Sequence, residues 1–227
     1  MPRTVNPVAH AVRRDAFVEA AQRLIQMKGY EQMSIQDVLD ELDASKGAFY
    51  HYFDSKEDLL EAVVEGMVDT VTSALEPLVA DPDLPALQKL EGVFTGIASW
   101  KMERKELMLA VVKVWLSDEN AIVRERFRRH TAVRLTPHLA RILRQGKAEG
   151  AFSVSSAEHA ATVLVSLLLG ANETASQLLV ARQTGAISFE DVECTLAAYA
   201  EAFERLLGLT AGSWPAADSA TIRFWFA

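Results

Sequence analysis

Apolar residues recur at intervals of three and four along most of the chain, which is the period of an amphipathic α-helix. Near the start, Gly29, a typical helix stop, follows a stripe made of Phe17, Ala20, Ala21, Leu24 and Ile25. No stretch alternates apolar and polar residues for long enough to predict a β-strand, and no internal repeat is visible. The pattern therefore predicts an all-α protein.

Two short helices and a longer one follow the first stripe. Ser34 with Asp37 has the spacing of a capping box at the start of a short helix. Residues 43–45 predict a tight turn, because Asp tolerates a left-handed conformation and Ser can cap the next helix. That next helix, residues 46–52, is too short to be stable alone and must pack on its neighbours. Ser55 opens the third and longer helix.

Two short helices joined by a tight turn predict a helix-turn-helix, in which the second helix fits the major groove of DNA. The third helix, from Lys56 to about Leu78, is a predicted connector from this three-helix head to a larger helical body. A group of prolines between residues 77 and 85 predicts the end of the connector. The predicted domains are the head at 1–54, the body at 55–209, whose connector begins at 55, and a tail at 210–227.

The body is predicted to contain further amphipathic helices. Ser155 with Glu158 and Ser188 with Asp191 have capping-box spacing, and Pro137 predicts a kink. A turn is predicted from Gly146 to Val154. The helices are expected near 87–97, 106–116, from a cap at 117–119 to 146, from 155 to about 182, and from 188 to about 208.

The tail begins with turn-forming residues and ends in an aromatic cluster, Ile222 to Phe226. Clustered aromatic side chains rarely remain in water, so we expect the tail to dock on the body.

The charge balance, taken alone, argues against a nucleic-acid partner. The net charge is −8 and the isoelectric point is about 5.2. Residues 1–56 carry seven Lys and Arg against eight Asp and Glu. DNA binding would therefore depend on where the cations lie and not on their sum. Arg3, Arg13 and Arg14, in or near the start of the chain, are candidates for phosphate contacts.

Composition favours a soluble, cytoplasmic protein without a cofactor. Cys194 is the only cysteine, so the chain can form no internal disulfide and a reducing compartment is expected. The start has no apolar signal-peptide core, and the longest apolar run, residues 160–171, is shorter than a membrane span. This run is expected to be a buried helix. We expect no metal site, because no His, Cys and carboxylate cluster has ligand spacing, and no catalysis by the isolated thiol.

The sequence S-K-G-A-F-Y-H-Y-F-D-S-K-E-D-L-L, residues 45–60, resembles the signature of the TetR/AcrR family of bacterial transcriptional regulators. The resemblance extends from about Ala9 to Leu60. It implies a regulator, usually a repressor, that binds a palindromic DNA operator as a homodimer. It also implies that the body encloses a pocket for a small molecule whose binding moves the heads out of operator spacing.

By this resemblance, the first motif helix contacts the DNA backbone or groove edge, and the second reads bases. Lys46 can reach guanine acceptors, and Gly47 lets the main chain approach closely. Ala48 replaces a common threonine, Asp43 a usual glycine and Leu42 a usual alanine. Taken singly, each feature has a second explanation as a surface cap or a core aromatic, as we expect for Phe49, Tyr52 and Phe53. The implied DNA-binding residues are Ser34, Gln36, Ser45, Lys46, Gly47, Ala48, Tyr50, His51 and Lys56.

Two heads must lie about 34–36 Å apart to meet successive major grooves. The resemblance implies that the last two long helices of each copy form a four-helix bundle, and the predicted interface residues are Leu164, Leu168, Leu179, Leu196 and Phe203. The alternative is that these apolar stripes pack within one chain.

The central helices supply the candidate ligand-binding residues, most of which have a second interpretation as core. His130, Arg134 and His138 share one helix face, which suits either an anionic ligand or a solvated basic surface. The remaining candidates are Phe94, Trp100, Met108, Trp115, Phe127, Asn172 and Glu173. A different class of function, a helical ligand-binding protein or enzyme with an inactive head, stays open from the residues alone. The effector and operator are not readable from the sequence.

Overall fold

The computed structural model describes residues 7–214 and 219–226, and within these ranges the side chains of Pro7, Lys113, Val114 and Glu119 are not described. The described residues form α-helices and one short 3-10 turn, Asp118–Asn120, without a strand, which confirms the predicted all-α fold. Arg3 lies outside the described residues. The helices are α1 Pro7–Lys28, α2 Ile35–Glu41, α3 Lys46–Tyr50, α4 Lys56–Ala80, α5 Ala86–Glu103, α6 Lys105–Trp115, α7 Ala121–Glu149, α8 Ala157–Gln183, α9 Phe189–Leu207 and α10 Ser219–Phe226.

The chain divides into two compact units. The first comprises residues 1–71 and 99–130, and the second comprises residues 72–98 and 131–227. Three helices, α4, α5 and α7, therefore belong partly to each unit. This division differs from the predicted domains, because residues 99–130 pack with the head. The predicted boundary at residue 54 marks the end of the helix-turn-helix and stays a prediction.

An aromatic core holds the first unit together. Phe17 of α1 meets Phe49 at 5.8 Å and Phe53 at 6.2 Å between ring centroids, and all three rings are fully buried. Leu107 and Trp115, at the two ends of α6, join the same core. Burial of each such side chain contributes about 1.5–3 kcal/mol, so short helices that could not persist alone become stable by packing.

Local bonds set the ends of the short helices as predicted. The Ser34 hydroxyl accepts from the Asp37 amide at 3.2 Å while the Asp37 carboxylate accepts from the Ser34 amide at 2.7 Å, which confirms the capping box. Asp43 adopts the predicted left-handed conformation with φ of 46°. The Ser45 hydroxyl accepts from the Ala48 amide and caps α3, which ends at Tyr50, two residues earlier than predicted.

The second unit corrects several predicted helix boundaries. Helix α4 ends at Ala80, two residues beyond the predicted end near Leu78, and α7 passes through Gly146, its predicted end, to Glu149. Gly146 is required inside α7 because the Phe152 ring folds back against it, and a Cβ there would lie 2.1 Å from Cδ2 of Phe152. The predicted kink at Pro137 stays a prediction.

Two predicted caps are also wrong in their details. Ser156, not Ser155, caps α8 by accepting from the His159 amide at 3.3 Å, and the Glu158 carboxylate bonds Arg144 instead of closing a box. Ser117 precedes the 3-10 turn without a side-chain cap bond, so α7 begins later than predicted. Ser188 and Asp191 form the predicted capping box of α9.

The tail docks within the second unit, as predicted. Helix α10 packs on α8 and α9, and its Ile222 and Phe226 side chains are buried. Upstream, the Trp214 ring stacks on Phe203 at 4.8 Å and meets Phe94 at 4.5 Å. The buried Glu204 carboxylate accepts the Trp214 amide at 2.8 Å, which holds the chain between α9 and α10 in place.

Helix α8 is less buried within one chain than the sequence predicted. Its apolar window is long and hydrophobic enough to cross a membrane by length and composition alone, which is weak evidence, and only 28% of that window is buried. Val163 is 47% exposed and Val180 is 38% exposed. A helix with this composition therefore keeps uncovered apolar surface in the single chain.

Candidate nucleic-acid interface

Helix α3 displays polar groups on one side because its other side is anchored in the core. Phe49 is fully buried between Phe17 and Phe53, and this fixes the rotation of the helix. Lys46 and Gly47 are exposed as a result, and the Tyr50 ring is 48% exposed. No atom lies within 4 Å of the position that a Cβ would take at Gly47, so the main chain there is open to a close partner.

The predicted residues of α2 and its turn face solvent but already have partners inside the head. Ser34 is exposed with its hydroxyl in the capping box, and Ser45 is exposed with its hydroxyl on the Ala48 amide. The amide group of Gln36 donates to Asp40 at 2.7 Å. Ala48 is half-buried. These contacts hold α2 and its turn in place, and the exposed groups of α3, Lys46 and Tyr50, have no such bond among the described contacts of the head.

Lys56 has a local structural partner as well as the predicted phosphate. Its Nζ lies 4.1 Å above the centre of the Tyr30 ring and 3.4 Å from the Glu31 carbonyl oxygen. An ammonium over an aromatic face is attracted by the ring quadrupole. The lysine is half-buried, so its amine has a fixed position beside the start of α4.

A cluster at the C-terminal end of α3 contains a residue that the sequence argument missed. The His10 ring of α1 meets the exposed His51 ring at 5.3 Å and the Tyr52 ring at 4.7 Å between centroids. Arg13 and Arg14 follow on the same side of α1, over the rings of Phe17 and Phe53 respectively. The sequence did contain a signal for His10. It lies three and four residues before Arg13 and Arg14, and residues at that spacing share one face of a helix.

Elsewhere on the head, acidic and basic groups neutralise each other. The Lys28 ammonium at 2.7 Å, with the amide and hydroxyl of Ser34, holds the pKa of the Asp37 carboxyl well below its usual range. Arg23 pairs with Glu41 at 2.8 Å. Asp37 and Glu41 are thus paired with bases of α1, while Lys46 of α3 is exposed.

The predicted ligand residues of the first unit lie around its core. Trp115 meets Phe127 at 4.8 Å, and Met108 packs against the same cluster. The cavity beside Trp115 measures only about 10 Å³, about the room that one water needs. Trp100 is half-buried and has the Arg104 guanidinium 4.7 Å above its ring. These contacts correspond to the second interpretation, in which the aromatics are core.

The predicted ligand residues of the second unit are likewise dispersed. Phe94 belongs to the aromatic group with Phe203 and Trp214. Asn172 and Glu173 are half-buried on α8, and Arg134 of α7 is exposed. An open groove of about 570 Å³ runs beside the end of α9, and none of the predicted residues lines it. The ligand site stays a prediction.

The histidines of α7 face carboxylates, and the predicted anion-binding face stays a prediction. His130 Nε2 lies 3.0 Å from the Asp69 carboxylate, and its Nδ1 lies 3.6 Å from that of Glu65. His138 Nδ1 lies 3.1 Å from Glu76. Carboxylates at these distances would repel an anionic ligand.

The predicted interface residues divide into two groups. Leu164, Leu179 and Phe203 are buried within the single chain, which places them in its core and leaves them no free face for a second copy. Leu168 and Leu196 are half-exposed and keep surface for a partner. Burial in the single chain agrees with the alternative of packing within one chain for the first group, and the predicted interface stays a prediction.

A buried aromatic anchor, a capped turn and an exposed short helix form a helix-turn-helix in the first unit, and the second unit is helical as well. Residues 17–63 match the family model described as bacterial regulatory proteins of the tetR family. Over these residues the chain is therefore similar to the helix-turn-helix region of that family.

Two curated relatives each match part of the chain. An HTH-type transcriptional regulator of Lactococcus lactis subsp. lactis is 34% identical over 92 residues, covering 40% of this chain and 47% of that protein. The HTH-type transcriptional repressor KstR2 of Mycolicibacterium smegmatis is 28% identical over 88 residues, covering 39% of this chain and 42% of that protein. The chain thus spans about half the length of the curated relatives it matches.

The fold of the whole chain also has a solved counterpart. The crystal structure of RolR in complex with the ligand resorcinol aligns with a TM-score of 0.61 at 20% identity, covering 96% of this chain and 95% of that one. At this identity the likeness concerns the fold.

Proposed function

We propose that the chain is a homodimeric, sequence-specific transcriptional regulator that represses from a palindromic operator and leaves it when a small molecule binds. The observation that carries the proposal is the display on α3: Lys46, Gly47 and Tyr50 lie exposed on one side while Phe49 is locked into the core on the other. This is the arrangement that a recognition helix requires in the major groove.

The assignments of single residues follow from their positions. Lys46 is proposed to contact guanine, and Tyr50, His51 and Lys56 to contact phosphates. Ser34, Gln36 and Ser45 hold α2 and the turn against the backbone, and Gly47 with Ala48 permits close approach.

A second copy is required because one small head makes too few contacts for specificity among genomic competitors. The uncovered apolar surface of α8, with half-exposed Leu168, and Leu196 of α9 support a homodimer at this face. Coverage by a second copy also accounts for the membrane-like composition of α8 without a lipid partner. RolR was crystallised with resorcinol, and this supports a small-molecule effector for the present chain as well.

Selection of bound duplexes from a random pool tests the proposal. We expect recovery of an inverted repeat with half-sites about one helical turn apart, bound at low nanomolar to sub-micromolar concentrations with steep salt dependence. Sequence-blind, weak retention of the pool would instead support the alternative of a ligand-binding protein with an inactive head. The Lys46→Ala variant, which removes the exposed cation, serves as the matched control in the same selection.

A further inference from the structure

We propose that Asp40 orients the amide of Gln36 so that this side chain reads an adenine in each half-site of the operator. The proposal rests on the proposed DNA-binding function and goes beyond it, because there Gln36 only helps to hold α2 at the duplex. It adds one base to what each head recognises and makes Asp40 a positioning residue for that recognition.

Gln36 and Asp40 lie one helical turn apart on the solvent side of α2. The amide nitrogen Nε2 of Gln36 donates to Oδ1 of Asp40 at 2.7 Å, and both side chains are exposed. The opposite side of the helix is fixed in the head, since Val38 and Leu39 are buried in its core. The Gln36 amide therefore has a defined direction on a helix whose rotation is fixed.

The bond to Asp40 determines which groups of the Gln36 amide remain for a partner. A carboxylate has only acceptors, so the NH2 group of Gln36, and not its oxygen, must face Asp40. One N–H donor and the carbonyl oxygen Oε1 then remain side by side. Among the described contacts, no other side-chain bond occupies either group. Gln36 thus presents one donor next to one acceptor.

Adenine is the base whose major-groove edge matches this pair. It offers the N7 acceptor beside the N6 donor, so the remaining N–H can bond N7 while Oε1 accepts from N6. Guanine offers two acceptors, N7 and O6, and Oε1 would lie against O6 without a hydrogen between them. Cytosine offers only a donor, and thymine offers an acceptor with a methyl group. The pair therefore selects adenine, and it rejects guanine because Asp40 holds the other amide hydrogen.

A base edge also suits these groups better than a backbone phosphate does. A phosphate has only acceptors and a negative charge, so it could use the single N–H but would be repelled by Oε1 and by the Asp40 carboxylate. The first helix of a helix-turn-helix crosses the backbone at the edge of the major groove, and an exposed long side chain there can extend to a base.

Glu41, the next residue along α2, supplies the matched control. It is also acidic and exposed, but its carboxylate pairs with Arg23 of α1 at 2.8 Å. Glu41→Ala therefore removes the same charge as Asp40→Ala from a neighbouring position and leaves the bond between Gln36 and Asp40 in place.

Selection of duplexes from a random pool, carried out in parallel with the wild type and the three alanine variants of Gln36, Asp40 and Glu41, tests the proposal. The wild type should select adenine at one position of each half-site, with guanine there at least about fivefold weaker. Gln36→Ala should lose the preference at that position only. Asp40→Ala should accept adenine and guanine within about twofold of each other, because the freed amide can turn and donate both hydrogens to N7 and O6. Glu41→Ala should keep the wild-type preference.

A base analogue checks the same contact with the wild-type protein. The selected duplex is synthesised with 7-deazaadenine, which lacks the N7 acceptor, at that position. Fluorescence anisotropy should then show about three- to tenfold weaker binding by the wild type, because one hydrogen bond is lost. The same analogue should change binding by Gln36→Ala less than about twofold.

The proposal would be overturned by strict adenine selection in Asp40→Ala, by a Gln36→Ala variant that keeps every base preference, or by equal binding of the 7-deazaadenine duplex. Selection of cytosine by the wild type at a position that Asp40→Ala releases would also overturn it, because the carboxylate would then read the base itself. A wild type that selects no sequence would instead defeat the proposed function.

Discussion

Five consecutive side chains, residues 49–53, show how single residues give the head both its stability and its contact surface. Phe49 and Phe53, four positions apart, are buried, while Tyr50 and His51 between them are exposed and Tyr52 is half-buried. The helical period explains this division, since residues four apart share a face. Any change that rotates α3 would move the anchors and the contacts together, so Phe49 determines where Lys46 and Tyr50 point.

Lys46→Ala should relax base preference at one position in each half-site. The exposed ammonium has no described ion pair inside the head, so its loss removes a base contact worth about 1–3 kcal/mol of discrimination and leaves the fold intact. Selection from an operator pool randomised at each position, compared with the wild type, measures the effect. Unchanged preference at every position would exclude Lys46 from base reading.

Gly146→Ala should destabilise the protein by about 1–3 kcal/mol, because a Cβ would overlap the Phe152 ring. Gly66→Ala is the matched control inside another helix, where the nearest atom outside the helix, in Val18, is 4.0 Å away. There the alanine should stabilise by about 0.5–1 kcal/mol. Urea unfolding of both variants measures the free energies. Equal stability of Gly146→Ala and the wild type would mean that Phe152 does not pack against α7.

At the scale of helices and their connections, ion pairs and hydrogen bonds between polar side chains join neighbouring helices in addition to hydrophobic packing. Along α7, basic groups meet acidic groups of α4 at several levels, including Arg126 with Glu61 and His130 with Asp69 in the first unit. In the second unit, the Arg141 guanidinium holds the pKa of the Glu76 carboxyl below its usual value, and His138 contributes a smaller effect in the same direction. Near the end of α9, the Glu204 carboxylate accepts a hydrogen bond from the Trp214 amide and so holds the start of the tail.

Glu204→Gln should loosen the tail and lower the melting temperature by a few degrees at pH 7. The amide of Trp214, followed by those of Gly212 and Ser213, lowers the pKa of the Glu204 carboxyl. A lowered pKa means that the carboxylate stabilises the fold above the ordinary glutamate value of about 4.3. That contribution is lost as the pH falls through the value in the folded state.

Differential scanning calorimetry of wild type and variant at pH 7 and at about pH 3 tests this expectation. The gap in melting temperature should narrow at the lower pH. Glu201→Gln is the matched control on the same helix, because its pair with Arg205 is exposed. The expectation would be contradicted if the difference in melting temperature between wild type and Glu204→Gln stayed constant with pH. It would also be contradicted if Glu201→Gln lowered the melting temperature by the same amount.

Much of the helical layout could be predicted from the sequence because the caps and stripes are local. The capping boxes at Ser34 and Ser188 formed as the spacing indicated, and so did the left-handed turn at Asp43. The end of α7 was predicted three residues too early, at Gly146, because glycine often ends a helix, whereas this glycine lies inside α7 with the Phe152 ring packed against it. The carboxylate partners of the α7 histidines could not be predicted from the sequence, because they lie about sixty residues away in the chain.

At the scale of the whole molecule, α8 keeps apolar surface that the described part of the single chain does not cover. Leu168 is half-exposed, whereas Phe203, an expected interface residue, is stacked against Trp214 in the core. A charge at Phe203 should therefore unfold the second unit and would not report on association. The sequence could not separate the two cases, because both residues belong to apolar stripes, and burial depends on tertiary packing.

Leu168→Glu should convert the proposed homodimer to monomers. An uncompensated charge buried at an interface costs about 3 kcal/mol or more, which weakens association by about a hundredfold. Val133→Glu, on α7 at 72% exposure, is the control and should leave the mass unchanged. Light scattering after size-exclusion chromatography gives the masses. Persistence of the dimer in Leu168→Glu would move the interface to another face.

The chain carries one thiol, Cys194, and it is exposed on α9. A nitroxide or a dye can consequently be attached at a single native position, without engineering a cysteine-free background. Two such labels in an assembled pair would give a dipolar coupling or an energy-transfer signal, and a lone chain would give none. The same label would then follow, in real time, any change in spacing when candidate effectors are added.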